Sequence, residues 1–283
     1  MKKIISVLLA VLMLCSGMLL FSSCSDANKI VVHTNAYFAP FEYYDGTEIK
    51  GVDIDIMKKV GEKLNRGVEF VNVDFSVIID NVAAGKVCDV GAAGITVTDA
   101  RKEKVDFTIP YFTSVQYVIY RADDALATKN GADGEYVVWE ALKGKKIGTQ
   151  TDTTGWIYVN GEITGEDFDG LLKDSGAELL NFDSAQLAAD GIGSRVDVVV
   201  VDKLPAEYIT SKNQGLKCVP LYYAGETDAE DAPVVEEYAI CVTKGRTEIL
   251  DALNRVLEEM MKKDESGKSE IDKLVMKHMG LGE

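Results

Sequence analysis

From Lys29 onward the chain alternates two apolar patterns, and that alternation limits its fold more than any other feature. KIVVHT (29–34), VEFVNVDF (68–75), VCDVGAA (87–93), ALKGKKIGT (141–149), AELLNF (177–182) and RVDVVVVD (195–202) are short, β-branched or apolar runs of strand character. Between them lie segments of helical period. GVDIDIMKKVGEKLN (51–65) places Val52, Ile56, Val60 and Leu64 on one face, and SVIIDNVAAGK (76–86) and DSAQLAADGIG (183–193) follow other strands. RTEILDALNRVLEEMMKK (246–263) and KSEIDKLVMKHMG (268–280) are two further amphipathic helices. Strand and helix in turn predict an α/β fold with mainly parallel sheets. Two polar stretches interrupt the pattern: ADDALATKNGADGE (122–135) and the acidic GETDAEDAPVVEE (225–237), read as a solvated connection.

The first 23 residues are of a different kind. MKK, then the apolar IISVLLAVLMLCSGMLLF, then small residues, has the layout of an export signal. Cys24 follows Ser22 and Ser23 and precedes the polar SDAN, which resembles the lipidation box of bacterial lipoproteins, with Phe21 where Leu is usual. The expectation is a signal over 1–23, a lipidated Cys24 with a tether over 24–28, and an extracytoplasmic protein held at the membrane. A net charge of −16 disfavours nucleic acid as a partner. Cys88, Cys218 and Cys241 stand far apart without CxxC spacing and are expected to be free thiols. His33 and His278 are isolated in sequence, so neither a metal site nor a His-based catalytic group is readable. No cofactor motif is present: there is no P-loop, no GxSxG, no HExxH and no dinucleotide fingerprint.

Binding features are richer, and they fall where strands end, the usual ligand position in α/β sheets. NAYFAPFEY (35–43) sets aromatic residues about a proline turn. AAGITVTDAR (92–101) runs from small residues through hydroxyls to one arginine, a side chain able to grip a carboxylate through two parallel bonds. KKIGTQTDTTGW (145–156) leads from a strand into a helix start, where free N–H groups favour an anion. Asp202 ends an apolar strand and suits either a helix cap or an ammonium acceptor. Asp152 is open between a helix cap, the favoured reading, and a group facing a cationic side chain.

These stretches, with EEYAICVTKG (236–245), occur in an order that resembles the polar-amino-acid-binding proteins of ABC importers, family 3 of the extracytoplasmic solute-binding proteins. The resemblance spans nearly all of residues 28–283. It implies a two-lobed periplasmic-binding-protein clamshell of type II, each lobe a mixed, mainly parallel sheet flanked by helices, with a two-stranded hinge. One lobe would comprise 29–113 and 239–283, the other 114–238. It implies that Arg101, Thr96 and the backbone of Gly94 hold a ligand α-carboxylate, completed by Thr153 and Thr154. Asp202 would take the α-ammonium and Phe38 would wall the side chain, with Asn35, Val52, Phe75 and Gln150 at contact positions. Two departures stand out: Val52 replaces a second aromatic, and Asp152 replaces a glycine. The expected ligand is an amino acid, polar and uncharged in preference to basic because Asn35 carries no charge. The expected partner is a membrane permease, the expected state a monomer, and no catalytic residue is assigned. A cleft enzyme resembling dehydratases and a sensor subunit are the alternatives.

Overall fold

The computed structural model describes residues 28–166, 168–227 and 230–281; the expected export signal over 1–23 and the expected lipidation at Cys24 lie outside them. Strand β1 (Lys29–Thr34) leads into a small antiparallel meander of β2 (Tyr37–Phe38), β3 (Glu42–Asp45) and β4 (Glu48–Lys50). Helix α1 (Val52–Leu64) buries Val52, Ile56 and Val60 along one face and closes at Asn65 in the left-handed conformation. β5 (Gly67–Asn72), α2 (Phe75–Ala84), β6 (Val90–Gly91), the short α3 (Asp99–Lys102) and β7 (Asp106–Phe107) follow.

β8 (Phe112–Arg121) then crosses into a second sheet. There the chain forms β9 (Lys129–Gly131), β10 (Gly134–Val138), β11 (Lys146–Gln150), α4 (Thr154–Thr164), β12 (Glu178–Phe182), α5 (Ala185–Asp190), β13 (Val198–Asp202), α6 (Lys203–Lys212), β14 (Leu216–Tyr223) and β15 (Ala232–Pro233). β16 (Val235–Tyr238) leads back, and β17 (Cys241–Val242), α7 (Thr247–Met260) and α8 (Glu270–His278) complete the first sheet's layer.

The first sheet has the order β5-β1-β6-β17-β7, the second β12-β11-β13-β8-β14-β10-β9. The βαβ crossovers make β1 parallel to β5 and β6, and β11 parallel to β12 and β13. Strands that return from elsewhere enter antiparallel: β17 in the first sheet, β8 in the second. The architecture is the two-lobed α/β clamshell. Its hinge is the antiparallel pair β8 and β16, with Val235 opposite Val115, Glu236 opposite Ser114 and Tyr238 opposite Phe112.

Trp139, Leu142, Val198, Val200 and Leu221 are buried in one core cluster on the second sheet. Burying such side chains is worth about 1.5–3 kcal/mol each. Among the described residues Cys88, Cys218 and Cys241 are free thiols. Three local readings change. VCDVGAA keeps ladder pairing only at Val90–Gly91, because Ala92 onward peels away towards the cleft. ALKGKKIGT is a strand only from Lys146, since Trp139–Leu142 turn as a 3₁₀ helix and Gly144 has a positive φ. The stretch 225–237 is not wholly a solvated connection: Val234 and Glu236 are buried, on an alternation that continues to Tyr238 just beyond it.

Candidate functional site

Five segments that leave the carboxyl ends of β1, β5, β6, β11 and β13 converge between the lobes. They bring together Asn35, Phe38, Phe75, Ala93, Gly94, Thr96, Gln150, Thr153, Thr154 and Asp202 around one cavity. All but Ala93 were singled out from sequence. The cavity offers about 10 Å³ to the centre of a water-sized sphere, room for one water. Contacts across it keep it narrow. Gln150 Nε2 donates to Asn35 Oδ1 at 2.9 Å, and the hydroxyls of Thr96 and Thr154 lie 3.3 Å apart. A solute of amino-acid size enters only when these contacts part.

Gly94 must be glycine. Its φ is +53°, and a Cβ there would come within 2.7 Å of the Phe38 ring. Its N–H donates to Asp53 Oδ2 at 2.9 Å, and Tyr111 Oη donates to Asp53 Oδ1 at 2.5 Å. Burial pushes the Asp53 carboxyl up to about 6, while these two donors pull against the rise. Asp53, on the first turn of α1, thus fixes the loop that carries Gly94 and Thr96.

Arg101 sits on α3, whose start is capped by Thr98 Oγ1 accepting from the Arg101 backbone N–H. Its side chain is buried at 8% exposure. One guanidinium nitrogen donates to the Thr96 carbonyl at 2.8 Å, and another crosses the cleft to the Asp152 carbonyl at 2.9 Å. The guanidinium also lies 5.4 Å from the centroid of Phe75. Arg101 borders the adjoining recess with Phe75, Ala100 and Asp152, next to the cavity rather than on its lining. Burial lowers its pKa, and the nearby carboxylates act in the opposite sense.

Asp202 occupies the N-cap position of α6 yet makes no side-chain capping bond. It is 3% exposed, and its Oδ1 has no hydrogen-bond partner among the described residues. Burial, and then the neighbouring Glu236 carboxylate, raise its pKa well above the usual carboxylate range. Glu42, fully buried with neither oxygen partnered among the described residues, is raised well above its ordinary value by burial, Asp53 and Asp202.

Thr153 is the true cap of α4: its Oγ1 accepts from Trp156 N–H at 3.3 Å. This corrects the cap assigned to Asp152. Asp152 instead takes a left-handed φ of 60° and contributes its carbonyl to Arg101. Val52, read as a side-chain contact, is 0% exposed in the apolar core and does not line the cavity.

One residue was missed. Glu236, on the hinge strand β16, is 4% exposed and accepts from Thr96 Oγ1 at 2.6 Å, from Thr154 Oγ1 at 2.5 Å and from Gln116 Nε2. Its only sequence signal is alternation, VVEEY, in which Val234, Glu236 and Tyr238 share a face.

Comparison with known proteins bears on this geometry. The family model of bacterial extracellular solute-binding proteins, family 3, matches residues 30–280. The arginine-binding extracellular protein ArtP of Bacillus subtilis is 25% identical over 237 residues, covering 83% of this chain and 82% of the relative. A probable histidine-binding protein of Neisseria gonorrhoeae is 27% identical over 293 residues, covering 98% and 96%. The solved structure of an ancestral arginine-binding protein bound to glutamine superposes with a TM-score of 0.69 at 33% identity, covering 89% of this chain and 98% of that one. With an interlobe cavity at the strand ends and a family match over almost its whole length, the chain belongs to the bacterial extracellular solute-binding proteins of family 3 and is a binding protein rather than an enzyme.

Proposed function

We propose that the solute is a free α-amino acid with a neutral polar side chain, bound between the lobes and delivered to the membrane permease of an ABC importer. The observation that carries this reading is a buried carboxyl on the cavity lining, Asp202, with a buried guanidinium, Arg101, in the recess beside it. A zwitterion needs both, because either of its charges buried alone would be costly. Arg101 turns from its carbonyl partners to the α-carboxylate, helped by the free N–H groups at the start of α4. Asp202, with an oxygen to spare, takes the α-ammonium. Phe38 and Phe75 flank the side chain, and its end meets the uncharged amides of Asn35 and Gln150.

A basic amino acid is the second reading. Relatives named for arginine and histidine favour it, as do Asp74 and Asp183 in the recess that shares Phe75 and Gln150 with the cavity. A thermal-shift screen of the twenty amino acids separates the two, since a ligand stabilises by RT ln(1 + [L]/Kd). Glutamine, asparagine or serine is expected to raise Tm more than arginine, lysine or histidine at equal concentration. The reverse ranking selects the basic reading, and no shift with any amino acid removes both.

The lobes are assigned as 29–113 with 239–283, and 114–238, and the protein is taken to act as a monomer. Cys24 is assigned as a lipid anchor outside the cytoplasm, where more than one acyl chain gives stable attachment. Labelling with a radioactive fatty acid is expected to mark the wild type and not Cys24→Ser; label retained by the variant removes the anchor.

A further inference from the structure

We infer that Glu236 is a positioning residue of the ligand site: by taking the hydroxyl protons of Thr96 and Thr154 it makes both side chains acceptors for a ligand's ammonium group. The inference rests on the reading of the cavity as an amino-acid site and changes the role of two of its residues. A threonine hydroxyl has one proton and two lone pairs. Thr96 Oγ1 and Thr154 Oγ1 both donate to the same oxygen, Glu236 Oε2. With those protons committed, both hydroxyls offer only lone pairs to the cavity that Thr96 and Thr154 line. A carboxylate gains nothing from lone pairs, whereas an ammonium group does. The α-carboxylate is therefore left to Arg101 and backbone N–H groups, and the ammonium sits among Asp202, Thr96 and Thr154.

The position of Glu236 is itself fixed. Gln116 Nε2, on the other crossover strand, donates to Glu236 Oε1, and Gln116 is fully buried. Thr96 belongs to the first lobe's loop and Thr154 to the second lobe's helix α4, so one hinge carboxylate joins the two walls of the cleft. The charged and titratable groups around it are Asp202, Arg101, Tyr158 and Tyr238.

Glu236→Gln tests the assignment, because an amide keeps the shape but offers two donors and a single acceptor oxygen in place of two. The probes are glutamine and its 2-hydroxy analogue, in which a hydroxyl replaces the ammonium, with arginine and its 2-hydroxy analogue as a second pair. The wild type is expected to prefer the amino acid of whichever pair binds, and Glu236→Gln to reduce that preference at least tenfold. Thr154→Val, which removes the hydroxyl without changing shape, is expected to do the same. An unchanged preference alongside weaker binding of both compounds makes Glu236 merely structural and overturns the inference. A second arm needs no ligand. Hydrogen exchange of peptides covering 94–98 and 153–157 is expected to quicken in Glu236→Ala, and unchanged protection there also overturns it. Should no amino acid bind the wild type, the site reading fails and the exchange arm alone decides whether Glu236 joins the two walls.

Discussion

Arg101→Ala protein is expected to bind its amino acid roughly 30-fold or more weakly, because truncating one partner of a buried charge pair costs on the order of 2–5 kcal/mol. The guanidinium is buried in the recess beside the cavity and already desolvated, so little is lost again when a carboxylate arrives. Its present partners are two carbonyls, which it can release for a stronger, charge-assisted pair. The fold is expected to survive, since Arg101 stands on a four-residue helix at the cleft rather than in the apolar core. Calorimetry gives the affinity directly, and a Kd within threefold of wild type would place the carboxylate site elsewhere.

Asp202→Asn is expected to act in opposite directions on binding and on stability. Binding falls by roughly 30-fold or more, as the ammonium loses its anionic partner. Stability at neutral pH rises. In the folded chain the Asp202 carboxyl holds its proton well above the ordinary value of 3.8, through burial and the Glu236 charge. As pH rises from about 4, the unfolded chain gives up this proton first, so ionisation works against the fold. The asparagine removes that penalty. The gain in Tm over wild type is expected to be largest near neutral pH and to vanish as pH falls towards 4, measured without ligand. A gain that does not depend on pH, or normal amino-acid affinity in the variant, would remove Asp202 from the ammonium site.

Much of this arrangement is legible in the sequence because strand ends and loop chemistry lie close together along the chain. AAGITVTDAR carries a glycine with positive φ, a cavity threonine and the arginine within ten residues. Asn35, Gln150 and Asp202 each stand at or just after the end of a strand that period and composition reveal. Other features depend on partners far away. Glu236 sits in a run of acids, and acids are usually solvated; its burial follows from a strand that pairs with residues 112–115 and from donors at 96, 116 and 154. Val52 looked like a wall residue because of where it falls in the motif, but packing against the core decides its place. Asp152 and Thr153 are neighbours of similar capping propensity. The positive φ at Asp152 hands the cap to Thr153, and a backbone angle of this kind is not written in residue type.

The route of the chain between the two sheets also bears on how the protein acquires its structure. The second sheet is drawn from one continuous stretch, so its strands can pair as soon as that stretch is available. The first sheet cannot be completed so early. Its central strands meet β17, with residue 91 opposite residue 241, and close a loop that contains the whole of the other lobe. Loop closure costs entropy that grows slowly with length, but such distant contacts slow folding. A chain that emerges amino end first therefore holds β6 without β17 until residues 241–242 arrive. Through that interval the apolar edge beside β6 is exposed to aggregation, and folding of the lobe waits on the carboxyl-terminal segment.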